Sequence, residues 1–180
     1  MNDSTHFRAG APNVAAWFTR VGLPLPPAEI DTLDAVLRRQ GLLLGAAIEV
    51  VERWSTAAAF VRASERDCAW WDQEEAERER LWEIAAAAHG EHALLDALDA
   101  VRDGIAAAVH ASAADAMSRA GVDDPDLLRE AVAAALLAAH QDALTRLAGE
   151  GNDHFFAIKY RLFFEGRWPL GLQGGRFGVF

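Results

Sequence analysis

Apolar residues recur along this chain at two spacings, and the change from one to the other divides it. From about Ala11 to Gly151, Ala, Leu, Glu and Arg dominate at helical intervals. The closing stretch, RWPLGLQGGRFGVF, instead alternates apolar residues with glycine, the two-residue period of a strand pair.

Within the helical part, Pro12 can open a short helix through PNVAAWFTRV that Gly22 stops, and GLPLPP reads as a rigid connector. Pro26 or Pro27 then starts a helix through EIDTLDAVLRRQ, with Ile30, Leu33, Val36 and Leu37 on one face and Gly41 as its stop. The stretch GAAIEVVERWSTAAAFVRA is apolar around much of a helical circumference and predicts a long, central third helix.

The next segment, DCAWWDQEEAERERLWE, breaks the pattern. Trp71 and Trp82 are eleven residues apart and share a helical face, yet Glu74, Glu75 and Arg78 occupy the turns between them. This predicts an exposed ridge carrying Glu74, Glu75, Glu77, Arg78 and Glu79, with an aromatic anchor at each end and support from pairs such as Glu74 with Arg78.

Gly90 marks a break. Beyond it Leu94, Leu98, Val101, Ile105 and Ala108 form one face, His92, Asp96, Asp99 and Asp103 the opposite one, and Gly121 the end. In DDPDLLREAV, Asp124 is a cap and Pro125 the first helical residue of a helix running to the glycines at 149 and 151. Over 154–165 the signals conflict. Asp153 as cap and Gly166 as stop favour a helix, whereas Ile158, Tyr160 and Leu162 alternate as in a strand, which would make the end a three-stranded meander. A helix is the expectation adopted.

For the closing stretch, a turn centred on Gly174 and Gly175 sets Leu172 opposite Phe177, Gly171 opposite Gly178 and Leu170 opposite Val179. That register collects Trp168, Leu170, Leu172, Phe177 and Val179 on one face and a glycine pair on the other; a slip of one residue scatters them. A lone hairpin is marginal in water, so its apolar face covers something. The leading expectation is a structural lid. The alternative is an unpaired edge or glycine face offered to a partner strand or ligand, and Pro169 suits an edge.

The fold these elements predict is all-α: a single-domain bundle of about six or seven helices over residues 1–180, closed by a C-terminal β-hairpin at 167–180, with residues 1–10 flexible.

Charge refines this picture. The 180 residues carry a net charge of −10, which opposes nucleic acid or an anionic membrane as main partner. After residue 158, however, Lys159, Arg161, Arg167 and Arg176 face only Glu165, so a cationic tail is expected to dock on an acidic body. MNDSTHFRAG lacks the features of a signal peptide and AVAAALLAAH is too short to span a bilayer, so neither a membrane nor a secretory route is expected. The single Cys68 allows no internal disulfide or paired-cysteine zinc motif, and a cytoplasmic setting follows.

Candidate chemistry is sparse. The glycines of GLQGGRFG have no following helix to make a phosphate cradle. His89, Glu91 and His92 lack the spacing of helical metal ligands, His110 lies too far along, and His140 is unconstrained, so no metal or other cofactor is expected. The Asp96, Asp99, Asp103 row lies opposite the leucine stripe, where solvent is expected. Acidic neighbours Asp67 and Asp72 disfavour a reactive thiolate at Cys68. Lys159, the only lysine, sits among Phe155, Phe156, Tyr160 and Phe163.

The leading functional expectation is a non-enzymatic interaction or regulatory protein, of inhibitor or accessory-subunit type, whose acidic ridge meets a basic protein partner. The alternative is a small-molecule-binding protein or enzyme with a pocket between the helices and the aromatic C-terminal segment, marked by Lys159, Tyr160 and Trp168. A helical metal protein comes third.

Overall fold

A computed structural model describes residues 14–39, 47–63 and 68–180. The chain is mostly helical, with a small three-stranded sheet that holds its C-terminal residues. The expected flexibility of residues 1–10, the helix start at Pro12, the stop at Gly41 and the packing of Val36, Leu37 and Cys68 lie outside the described residues and side chains. Among the described residues, no helix is long and apolar enough to cross a membrane.

Where PNVAAWFTRV predicts a helix there is only a 3-10 turn, Val14–Ala16. Phe18 leaves the helical path at φ 59. A left-handed non-glycine residue costs about 1–2 kcal/mol. Aromatic burial offsets this: Trp17 stacks on Phe163 at 5.3 Å, and Phe18 meets Phe163 and Trp168 edge-on. Helix α1, Pro27–Arg39, follows as expected.

The predicted third helix is split. Residues Ala47–Val50 form strand β1, the Val51 N–H donates to the Val179 carbonyl at 2.8 Å, and of the described residues of this stretch Trp54–Arg62 is helical (α2). Ile48, Val50 and Val51 are β-branched and stiff at χ1, which favours a strand wherever a partner strand is present. That partner comes from the far end of the chain.

Helices α3 (Cys68–His89) and α4 (Glu91–Arg119) meet at Gly90, whose φ of 85 only glycine adopts readily. In α4, Leu94, Leu98, Ile105 and Val109 are buried; the turn continues through Val109, leaving Ala108 exposed. The His92, Asp96, Asp99, Asp103 face is exposed, as its position opposite the stripe requires. Helix α5, Pro125–Leu147, opens on Asp124, whose carboxylate accepts the Leu127 N–H at 2.9 Å. It packs against α3, α4 and α6. Fully buried Ala131, Ala135 and Ala138 leave room for these close approaches.

Residues Phe155–Phe164 are helical (α6), which resolves the conflict over 154–165. The cap is His154 rather than Asp153: its Nδ1 accepts the Phe156 N–H at 3.2 Å. Gly166 ends the helix at φ 84, and a Cβ there would lie 2.6 Å from Thr19 Oγ1.

Strands β2 (Pro169–Gln173) and β3 (Arg176–Val179) form the expected hairpin, but not a lone one. The sheet order is β1-β3-β2, with β1 parallel to β3, so the last strand of the chain is the central one. The helical expectation holds, and the C-terminal hairpin is present, but it is extended by β1 into a three-stranded sheet. Leu172 faces Phe177 and Gly171 faces Gly178, but a bulge places Pro169, not Leu170, opposite Val179. The bulge divides the predicted apolar face: Leu170 packs with Trp168 and Phe180, whereas Leu172, Phe177 and Val179 pack with Trp70, Leu81 and Phe155. The glycine pair is covered on one side only: a Cβ on Gly178 would sit 2.8 Å from the Phe60 ring, whereas one on Gly171 would meet nothing within 4 Å.

The tail's cations meet the body. Arg176 pairs with Glu49 at 3.0 Å. Arg167, 1% exposed, donates to the carbonyls of Arg20, Leu23 and Pro24 and so ties the N-terminal connector to the strand.

Candidate functional site

A cleft of about 310 Å³ opens beside β2. Phe60 and Val61 reach it from α2, Trp70, Trp71 and Glu74 from α3, and Ala133, Ala134 and Leu137 from α5. All five residues of β2 border it. Consecutive strand residues point to opposite faces, so only an edge contributes every one of them. Trp71 and Leu137 are both well exposed large apolar residues, which carries the apolar lining out to the surface.

In the cleft wall lies an ion pair. Lys159 Nζ donates to Glu74 Oε1 at 2.8 Å and to Oε2 at 3.0 Å, with side-chain exposures of 10% and 4%. The ammonium also lies 5.7 Å from the centre of the Phe155 ring. An ammonium has three donors, of which Glu74 takes two; the third has no hydrogen-bond partner among the described residues. Burying two such charges costs several kcal/mol each, which their attraction offsets only with good geometry. The two-oxygen contact provides it.

At the rim, Glu130 pairs with Arg62 at 3.1 Å, and Arg62 also binds Asp124 at 2.9 Å. This clamp joins α2 to the start of α5. The hydrogen bond from Arg62, aided by the Leu127 N–H, holds the Asp124 carboxyl down to about 2.

Glu74 therefore departs from its expected place on an exposed ridge paired with Arg78. The buried face of α3 runs through Trp70, Glu74, Leu81 and Ala85, offset by one residue from the Trp71–Trp82 face that the sequence suggests. Arg78 binds Glu75 instead, its Nε reaching Oε2 at 3.0 Å. Glu77 binds Arg80 and His154, each at 2.8 Å. These arginines hold the carboxyls of Glu75 and Glu77 below the usual carboxylate range. Glu79 is exposed.

Of the residues marking the alternative pocket, Lys159 and Trp168 line the cleft together. Tyr160 does not. Successive helical residues point about 100° apart; Tyr160 borders a different hollow with Arg146, Asn152 and Arg161. Burial pushes its phenol up to about 12. Of the histidines, His89 contacts the Leu147 carbonyl at 2.9 Å and His92 stands in solvent. Burial holds His140 low. Among the described residues, no three His, Cys, Asp or Glu side chains gather as a metal site.

Sequence reasoning missed Trp70 and Phe60 as cleft walls, whereas the edge at Pro169 was among its alternatives. One signal was present. The only lysine sits on an aromatic helix, where a buried ammonium needs a partner of opposite charge. No protein-family model, curated protein or solved structure matches the chain.

Proposed function

We propose that this protein binds a small, uncharged, largely apolar molecule in the cleft beside β2. The observation that carries this reading is the Glu74–Lys159 pair in the cleft wall. As a purely structural device a buried ion pair is poor value, since apolar residues of similar volume serve stability as well or better. Set in a cavity, it supplies one fixed donor within a mainly aromatic and aliphatic lining, the usual composition of a ligand site. The ligand is uncharged because the charges of the lining are already paired, Glu74 with Lys159 and Glu130 with the Arg62 it shares with Asp124. It presents an aromatic or branched body to Trp70, Trp71 and Leu137 and an acceptor to Lys159.

In this reading the C-terminal sheet closes the helical layer and contributes one wall of the site, and the protein works in the cytoplasm. The reading in which the acidic α3 face meets a basic partner has less support: Glu74 is buried and Glu75 and Glu77 are already held by arginines.

Tryptophan emission and thermal unfolding, measured across a panel of small uncharged aromatic ketones, amides and hydrocarbons, test the proposal. Acceptor-bearing compounds should shift both signals in the wild type, and the E74L/K159M variant should retain hydrocarbons while losing that preference. A panel in which no compound moves either signal would defeat it.

A further inference from the structure

The cleft also bears the signature of a backbone-reading site. The carbonyls of Gly175 and Val179 accept from Ala47 and Val51, at 3.0 and 2.8 Å, so the odd-numbered residues of β3 turn their hydrogen-bonding groups toward β1. The even-numbered ones face the opposite way: Phe180 exchanges both bonds with Trp168, at 2.9 and 2.6 Å. Leu172 lies opposite Phe177, an odd-numbered residue. Its own N–H and C=O therefore point away from β3, along the edge that borders the cleft. Neither meets a partner among the described residues. Pro169, opposite Val179, turns its carbonyl the same way and has no N–H.

We infer that the ligand is an extended, uncharged, amide-bearing segment, a short aliphatic peptide, which pairs with Leu172 as a fourth strand. This rests on the cleft being a ligand site, and it names the ligand class. An outward donor and acceptor on one residue match the acceptor and donor of a single residue on an added strand. The Lys159 donor serves a further carbonyl. Side chains on one face of that strand meet Trp70, Trp71 and Leu137, and the pairing of every charge in the lining selects a segment without charge. The half-buried edge is short, opens on proline and is walled by α2, α3 and α5, features that oppose pairing with the sheet of a second copy.

The test uses the full chain and N-acetylated, C-amidated tripeptides of valine and leucine, with analogues methylated at each peptide nitrogen in turn. Binding is followed by tryptophan emission and by the NMR signal of the Leu172 amide proton. The expected result is that one methylated position weakens binding about tenfold, the loss of one well-made hydrogen bond, and that the Leu172 proton shifts and exchanges more slowly in the complex. Leu172→Pro, which removes the outward donor and no bond to β3, should weaken binding by a similar factor; if it unfolds, the methylated series alone decides. Equal affinities across that series, or an unmoved Leu172 proton, would overturn the inference. If tripeptides fail while small apolar compounds bind, strand addition is wrong and the cleft remains a ligand site. If neither binds, both readings fall. Concentration-dependent protection of Leu172 without peptide would assign the edge to a second copy instead.

Discussion

Helix α4 and the C-terminal sheet bury their apolar residues by opposite routes. In α4, Leu94, Leu98, Ile105 and Val109 fall on one face because of local spacing alone, whatever lies against them. In the sheet, Phe177 and Val179 reach the interior only because β1, far back in the chain, lies alongside β3. The α3 wall of the cleft stands between these cases: Trp70, Leu81 and Ala85 share its buried face, but Glu74 lies on that face too and is paired there with Lys159, 85 residues away. Local pattern thus sets burial where helix packs on helix. Distant partners set it where the cleft is built.

Four measurements bear on that contrast. The largest effect is expected from ending the chain after Gly166. This removes the central strand, leaves β1 unpaired, and takes Trp168, Phe177, Val179 and Phe180 from the core. Each large side chain forfeits roughly 1.5–3 kcal/mol, and together they rival the whole stability of a small domain, about 5–15 kcal/mol. Circular dichroism and sedimentation should show loss of cooperative melting or aggregation. A truncated chain that melts like the intact one would mean that the helices stand without the sheet.

Next comes Lys159→Met, which leaves the Glu74 carboxylate buried and alone. It should cost about 3–5 kcal/mol in urea unfolding, whereas E74L/K159M should come close to the wild type. Equal behaviour of the single and double variants would remove the distinction drawn between α3 and α4.

A smaller loss, about 1–3 kcal/mol, is expected for Gly178→Ala, since the new methyl meets the Phe60 ring. Adding Phe60→Leu should recover part of it. If Gly178→Ala is silent, the seating of α2 on the sheet is looser than these distances imply.

The smallest effect concerns acid. Asp124 titrates near 2 in the folded protein and about 3.9 when unfolded, so the folded state favours its ionised form. That contribution is present above the unfolded value and is lost as pH falls toward 2. Asp124→Asn should therefore flatten the acid limb of a stability profile between those values. Its carboxylate is solvent-accessible, which keeps the change modest. An unchanged profile would show that the Arg62 clamp adds nothing to the joint between α2 and α5.

Much of this molecule was determined locally and could be read from the residues. The Asp124–Pro125 start, the break at Gly90, the stop at Gly166 and the Gly174–Gly175 turn each follow from conformations or hydrogen bonds that a single residue supplies. So does the leucine stripe of α4. Tertiary structure decided the rest. Ile48, Glu49 and Val50 sit in a stretch that reads as helix, and became a strand because β3 offered a ladder of hydrogen bonds. Glu74 and Lys159 each look exposed or misplaced when read alone, and became a buried pair because α6 brings the ammonium to the carboxylate. The cleft is lined by β2, which among the described residues is an edge strand of the sheet. Such features depend on contacts between distant segments, whose formation a local spacing neither requires nor reveals.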